Sequence, residues 1–511
     1  MGNWRGRQDK PLNLKWKNDT IEFLGIHVGN KVGPNGQKML SELNFAGQIE
    51  TIKNKSNYWK GKGLPLLSRV KIVNIFLLSR LWYRTNIWDI TKNHIETLKK
   101  MVRNFVWEEK RGARVRQDVL QLQYTEGGLQ LVDISCKIQV QRVKRIFYLM
   151  SLEPNNFERF LADELVGNCV RQRQYGLSYG LFNNKPRIRT IENSFYKNAF
   201  EIISSLNIRL RPANINNIQN EPLFYNTLFI NSFTNNIFKL TRFKNQMPKN
   251  ISELQNFPHS REQEVNEKVT QLRSCIQALT FTQNEQNEYF ILNNNIEEEI
   301  TNFTFKDLYL IMLNAKSVNK EWEDRWLNYL LLDEIDWGPI WTQLHSNLNN
   351  NYVKSAIWES FHLNFWSNFR ANERCKLCME PENDITHIIN DCKILSEIIE
   401  SLNLNHIFDN KFKITFGVEN ENIANYIMFH IKSVVFRSRF KIFHNFAAGK
   451  SQLIKKCKNN IKQDLKSKFD IAKSKNKIDE FFNIFLPSQV EGENTHFYFW
   501  KINEEHNLEF F

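Results

Sequence analysis

Three cysteines and one histidine within eighteen residues constrain this sequence more than any other feature. Cys375 and Cys378 are separated by two residues, and His387 and Cys392 follow closely. A Cys-x2-Cys pair can bind one metal ion from a tight turn, and the later His and Cys complete a closed set of four zinc ligands. The alternative is that the thiols pack as small apolar side chains. Because three of the chain's seven cysteines fall in this stretch, the spacing predicts a structural Zn²⁺ site.

The charge balance favours a polyanionic partner. The 511 residues include 69 Lys and Arg against 55 Asp and Glu, which gives a formal net charge of +14. An excess of this size suits nucleic acid, although net charge alone is weak support. The other cysteines are scattered, which predicts a reducing, intracellular compartment, nuclear or cytoplasmic. We expect no membrane-spanning segment, since no apolar run reaches the required length.

Basic residues concentrate after the proposed zinc ligands. Between Lys432 and Lys477 there are fourteen Lys or Arg against two acids, and apolar residues recur among them at helical spacing. A helix that is buried on one side and positive on the other can contact phosphates, whereas the alternative is a solvated basic face. Two earlier helices and a loop add further basic residues. The candidate nucleic-acid contacts are Arg69, Arg80, Arg103, Arg111, Arg114, Arg437, Arg439, Lys441, Lys455, Lys456 and Lys458.

A series of short motifs gives the chain a family resemblance. The motifs are a Phe-Leu-Gly-Ile strand at 23–26, Leu-Ser-Arg-Val at 67–70, Ser-Arg-Leu-Trp-Tyr at 79–83, Asn-Phe-Val-Trp at 104–107, and Glu-Gly-Gly-Leu at 126–129 before Asp133 and Ile134. In this order, followed by an aromatic helix and the Cys-x2-Cys, His-x4-Cys pattern, they resemble the region behind the palm in reverse transcriptases of non-LTR (LINE-type) retrotransposons. The resemblance spans nearly the whole chain.

The resemblance and the residue patterns together predict a mainly α, multi-domain fold. We expect residues 1–38 to hold a palm remnant with a short strand and 39–150 a thumb-like helical bundle. A helical linker over 151–350, a zinc knuckle of the CCHC type over 351–400 and a basic helical segment over 401–511 would follow. In the family, the thumb holds the template–primer duplex.

The sequence also predicts that the chain is not itself an enzyme. A polymerase uses paired carboxylates to hold two Mg²⁺ ions. The family carries two adjacent aspartates ahead of the Phe-Leu-Gly-Ile strand, but no Asp-Asp pair occurs in this sequence. We therefore expect a zinc-stabilised protein that binds RNA, an RNA/DNA duplex or target DNA, while a palm supplied elsewhere carries out target-primed reverse transcription. That palm could belong to a longer polyprotein or to a separate subunit. The alternative is a domesticated retrotransposon remnant that acts as a protein-interaction scaffold.

Overall fold

The computed structural model confirms the predicted mainly α, multi-domain class, since helices dominate the residues that the structure describes and the sheets among them have two or three short strands. No described helix is both long enough and apolar enough to cross a membrane. The structure describes residues 20–29, 34–108, 115–153, 155–170, 177, 188, 191, 193–206, 209–212, 219, 223–224, 229–231, 236–238, 246–279, 289–293, 296–299, 302–362, 374–381, 386–438, 446–485, 500–502 and 508–510.

The chain divides into two compact units, each assembled from separate segments. The first contains residues 1–52, 78–99 and 133–317, and the second contains 53–77, 100–132 and 318–511. The division falls inside two helices, Pro34–Lys60 and Lys92–Trp107, so each of them contributes residues to both units. The five-part organisation expected from the sequence stays a prediction.

The first unit is built around the helix Ile134–Ser151. This helix packs against Ser194–Ser205 and Phe305–Asn314, and its apolar face includes Phe147. A second, smaller core surrounds Phe229 and Leu272. The other elements of this unit are the strands Thr20–Phe23 and Ile26–Gly29, the helices Ser79–Thr85, Phe157–Val170, Ile251–Gln255 and Gln263–Gln277, and the strands Arg209–Pro212, Ile230–Asn231, Asn236–Ile237, Tyr289–Asn293 and Ile296–Glu299. All described strand pairs are antiparallel.

The second unit is built around a helix that is buried almost all round. In this central helix (Asn422–Ser438), every residue from Ala424 to Phe436 is buried. It packs against Asn351–Phe361 and against the basic helix (Phe446–Ser474). The other elements are the helices Leu66–Ile72, Gln117–Gln121, Glu321–Leu330, Trp337–His345, Lys393–Ser401, Lys411–Phe416 and Ile478–Phe485, the 3₁₀ turn Tyr124–Glu126, the π-helical turns Val73–Leu77 and His387–Asp391, and the paired strands Trp500–Ile502 and Leu508–Phe510.

The central helix differs from its expected pattern. The sequence suggested a helix buried on one side and positive on the other, but the described helix buries its polar residues as well. Lys432, counted above among the basic residues of the tail, is only 1% exposed, and its ammonium donates to the Thr415 carbonyl at 2.8 Å. The amphipathic basic pattern instead describes the following helix, Phe446–Ser474, whose buried stripe includes Leu453, Ile461 and Phe469.

Candidate metal centre and basic surface

The first two candidate ligands lie in a tight turn. The Cys375 amide donates to the Glu380 carbonyl at 2.8 Å, and the Met379 amide donates to the Cys375 carbonyl at 2.7 Å. Met379 has a φ of 65°, in the left-handed region of backbone conformation that residues other than glycine rarely adopt. These contacts fold the backbone back on itself, so that the Cys375 and Cys378 thiols approach the same point.

The other two ligands come from a π-helical turn. His387 opens this turn, and the Cys392 amide closes it by donating to the His387 carbonyl at 2.6 Å. Cys392 also occupies the N-cap of the helix Lys393–Ser401, where its carbonyl accepts from the Leu395 amide at 2.8 Å. His387 and Cys392 are five positions apart in sequence. The turn therefore places both on the same side of the chain, just before the helix Lys393–Ser401.

The four candidate ligands converge. Their ligand atoms all lie within 4.8 Å of one another, and Cys378 Sγ is 3.1 Å from His387 Nε2. All four residues are buried. In a tetrahedral zinc site, bonds of about 2.3 Å to sulfur and about 2.0 Å to nitrogen place neighbouring ligand atoms roughly 3.5 to 3.8 Å apart. The donor set and its spacing therefore fit zinc, and the convergence of the ligands agrees with the sequence prediction.

The electrostatics of the cluster also fit a cation. A hydrogen bond from Cys392 lowers the pKa of the Cys375 thiol to about 3, and the same hydrogen bond raises the pKa of Cys392. Burial raises the pKa of Cys378. Three buried sulfurs at this separation cannot all ionise without repelling one another, whereas a divalent cation would stabilise all three as thiolates.

Polar contacts outside the cluster hold the π-helical turn in place. Asn390 accepts a hydrogen bond from the Thr415 hydroxyl at 2.8 Å. The neighbouring Asp391 accepts from the Tyr329 hydroxyl at 2.6 Å and pairs with the Lys411 ammonium at 2.9 Å. Residues distant in sequence thus position the second half of the ligand set. Sequence reasoning missed them because no local pattern marks a partner that lies 62 positions away.

The candidate basic contacts occupy different environments. Arg80 and Arg103 are exposed, and Arg80 belongs to the first unit while Arg103 belongs to the second. Arg69 is 14% exposed at its side chain and pairs with Glu108 at 3.0 Å, so an existing ion pair already occupies its guanidinium. Arg111, Arg114, Arg439 and Lys441 lie outside the described residues.

The remaining candidates lie on or beside the basic helix. Lys455 is exposed, Lys456 is half-buried and donates to Ser438 Oγ at 3.3 Å, and Lys458 is half-buried. The Arg437 guanidinium lies 5.1 Å from the centre of the Tyr352 ring. Further along the basic helix, Lys462, Lys466 and Lys473 are exposed, although sequence reasoning did not single them out as contacts. Helical periodicity could have identified these lysines, because they recur at helical spacing between the residues of the buried stripe.

A buried polar network beside the basic helix was also missed. Asp464 accepts hydrogen bonds from Asn350 and Tyr426 at 2.8 Å, and it pairs with Lys468 at 2.8 Å. His430 Nε2 lies 3.5 Å from the same carboxylate. Burial alone would raise the pKa of Asp464, but His430 and Lys468 together lower it, so the carboxylate is ionised. The network connects the central helix to the basic helix.

Comparison with known proteins gives one informative match. No family model matches the chain. In an alignment of 222 residues that covers 42% of its length, the chain is 24% identical to the "Transposon TX1 uncharacterized 149 kDa protein" of Xenopus laevis. The matched stretch covers 16% of that frog protein. The chain is thus similar to part of a transposon protein, and it carries a Cys₃His cluster that could hold a metal ion.

Proposed function

We propose that this protein binds nucleic acid and that a structural zinc ion stabilises it. In this proposal the chain corresponds to the non-catalytic back half of a LINE-type reverse transcriptase. It grips a template–primer or target nucleic acid, and a palm supplied elsewhere carries out the polymerisation. The retrotransposon-related match and the converging Cys₃His ligands support this assignment.

The proposed zinc ion has a structural role. Cys375, Cys378, His387 and Cys392 would hold it and fill all four positions of a tetrahedral shell. No position is left for a water nucleophile, which distinguishes such a site from a catalytic one. The ion would tie the Cys-x2-Cys turn to the helix Lys393–Ser401, which packs against both the central helix and the basic helix.

The observation that carries the binding proposal is the charge distribution on the basic helix. Leu453, Cys457, Ile461 and Leu465 bury one face of it, while lysines are exposed on the rest. The exposed lysines are Lys455, Lys462, Lys466 and Lys473. A rigid row of cations along a packed helix can neutralise several phosphates at once and release their counterions.

A salt titration tests this proposal. Fluorescence anisotropy would follow binding of a labelled RNA/DNA duplex to wild type and to a Lys455→Glu, Lys466→Glu double variant. Affinity should fall as the salt concentration rises. Each lost phosphate contact should reduce the slope of log affinity against log salt concentration by roughly 0.7 to 0.9. The matched control is the double variant Lys38→Glu, Lys92→Glu, which changes the net charge by the same amount. Both of its substitutions lie near helix N-termini, where acidic residues are tolerated. Equal loss in both variants, or salt-insensitive binding, would contradict the proposal.

One observation favours the scaffold alternative. The helix Phe157–Val170 exposes Phe157, Phe160, Leu161 and Leu165, which share one helical face. Exposed apolar stripes of this kind are typical of protein-binding surfaces. If the chain fails to bind any nucleic acid, this stripe is the surface on which to look for a protein partner.

A further inference from the structure

A polar cavity of about 390 Å³ opens on the second unit, beside the buried Asp464 network. Its walls come from the start of the helix Asn351–Phe361, from the central helix and from the basic helix. The volume lies within the range of natural small-ligand sites, about 300 to 1,000 Å³. The zinc site and the proposed row of phosphate contacts do not account for this cavity.

One wall is a stacking platform. The Arg437 guanidinium lies 5.1 Å from the centre of the Tyr352 ring and also donates to the Tyr352 carbonyl. The Tyr352 hydroxyl donates to the Gly63 carbonyl at 3.2 Å, which fixes the ring orientation. The Tyr352 residue is nevertheless 48% exposed. Flat rings and guanidinium planes are the surfaces on which proteins stack unpaired bases.

The basic helix contributes amide groups to the wall. Asn460 and Gln463 both line the cavity from the basic helix. Within the described part of the chain, neither side chain takes part in a hydrogen bond or ion pair. An amide presents donors and an acceptor side by side, which matches the alternating donors and acceptors on the edge of a nucleobase.

The cavity lining contains both signs of charge. Asp464 lines it as an ionised carboxylate that is paired with Lys468, and the Arg437 guanidinium lines it as well. Outside the cavity is an adjoining depression of about 440 Å³. The exposed Lys466 lines it together with Asp470, and Gln463 and Ser467 are common to both hollows. The two hollows therefore provide a place for a base and, next to it, a cation for its phosphate.

We propose that the cavity binds one unpaired base of a single-stranded nucleic acid. The base stacks on the Tyr352–Arg437 platform, Asn460 and Gln463 contact its polar edge, and Lys466 contacts the adjoining phosphate. This inference rests on the proposed function and deepens it. It names a single-strand site in addition to the duplex grip.

The variants for the test separate stacking from folding. Tyr352→Leu removes the ring, whereas Tyr352→Phe keeps the ring and loses only the hydrogen bond to Gly63, so it should bind single strands more tightly than Tyr352→Leu. Asn460→Ala combined with Gln463→Ala removes the amides, and Gln452→Ala is the matched control because Gln452 is exposed elsewhere on the basic helix. The full chain would be titrated with labelled ten-nucleotide oligo(U) and oligo(dT), with an abasic strand of equal length, and with a duplex.

The expected result is a selective loss. Tyr352→Leu and the double amide variant should each weaken binding of both single strands by about fivefold or more, the size of one stacked base. Their affinity for the duplex and the abasic strand should stay at the wild-type value. Wild type itself should bind the abasic strand more weakly than oligo(U) or oligo(dT). Comparison of the two homopolymers distinguishes RNA from DNA as the source of the base.

Two failures are distinguishable. If wild type binds the duplex in a salt-dependent way but the variants bind single strands as wild type does, the base site is wrong and the proposed function stands. If wild type binds no nucleic acid, both are wrong. Equal losses on the duplex and the single strands would show that the substitutions act on the fold, and this result would also overturn the base site.

Discussion

Cys378 is the residue at which the metal proposal is most directly tested. It is the most exposed of the three clustered thiols, at 8%, so a serine can replace it with little disturbance of packing. Cys378→Ser should lose most of the bound zinc, because a hydroxyl is a poor substitute for a thiolate ligand. It should also destabilise the ligand turns, since structural zinc contributes folding free energy directly. Elemental analysis would measure the zinc content of both proteins, and we expect about one zinc ion per chain in wild type.

Cys275→Ser serves as the control for that variant. Cys275 is half-buried, lies in the other unit and takes no part in the cluster. Its replacement should leave the zinc content unchanged. Folded wild type without zinc, or a Cys378→Ser variant that keeps its zinc, would contradict the structural metal site.

His362 predicts a pH dependence of stability. Burial lowers the pKa of His362 to about 3, and its Nε2–H donates to the Gly127 carbonyl at 2.7 Å. In the unfolded chain, His362 takes up a proton near pH 6.5, whereas the buried ring stays neutral. The contribution of His362 to stability is therefore complete above pH 6.5 and is lost as the pH decreases toward 3. At pH 4.5 the loss from this residue is about 3 kcal/mol. Chemical denaturation at pH 7 and pH 4.5 would measure it.

The change that isolates this effect is His362→Gln. Glutamine keeps an N–H donor for the Gly127 carbonyl but does not titrate. The variant should be less stable at pH 7, because it loses the ring contact with Trp358, and its stability should fall less on acidification. Gln452→Ala changes an exposed residue that does not titrate, and it should keep the wild-type pH dependence. An unchanged acid response in His362→Gln would show that other groups cause it.

At the residue scale, the metal ligands could be read from the sequence but their supporting contacts could not. The four ligands fall within eighteen positions, and chemical spacing rules apply over so short a range. Asp464 and His430 lie on different helices, and their contact depends on how those helices pack. Lys432 was misread for the same reason, because local sequence cannot distinguish an exposed lysine from one that donates to a buried carbonyl.

At the scale of elements, Gly127 controls the turn after Tyr124–Glu126. It has a φ of +85°, and an added Cβ would lie 2.9 Å from the Trp341 ring. Gly127→Ala should therefore cost about 2 to 5 kcal/mol in the free energy of unfolding, from backbone strain and overpacking together. Gly61→Ala is the control, since nothing lies within 4 Å of its added Cβ. Urea denaturation would compare the two, and equal stabilities would show that the turn relaxes.

Helix ends could be predicted better than helix interiors. Threonine is a common N-cap residue, and the Thr91 hydroxyl accepts from the His94 amide at 3.3 Å ahead of Lys92–Trp107. Apolar residues recur at helical spacing from Leu66 to Trp82, but the π-helical turn Val73–Leu77 interrupts the helix there. In that turn, Asn74 donates to the Gln130 carbonyl and accepts from the Val132 amide. Capping is local chemistry, whereas the interruption accompanies contacts with a segment more than fifty residues away.

At the scale of the whole molecule, the sequence predicted the fold class but not the two units. Helical periodicity and scarce strand signals identify a mainly α chain. The units, however, interleave segments such as 53–77 and 100–132 with distant parts of the chain. Such assembly depends on long-range packing between apolar faces, and periodicity does not specify which faces meet.

The whole chain should have no polymerase activity of its own. Two-metal phosphoryl transfer needs carboxylates that converge on a pair of Mg²⁺ ions. The sequence contains no Asp-Asp pair, and the metal-ligating group found among the described residues is a Cys₃His cluster instead of a carboxylate one. A primer-extension assay with Mg²⁺ or Mn²⁺ should therefore give no incorporation above that of heat-inactivated protein. The protein used should first show zinc content and duplex binding, so that inactivity is not misfolding. Template-dependent incorporation that copurifies with the chain and stops when Mg²⁺ is chelated would overturn the non-catalytic assignment, because a converging carboxylate pair would then have to exist elsewhere in the chain.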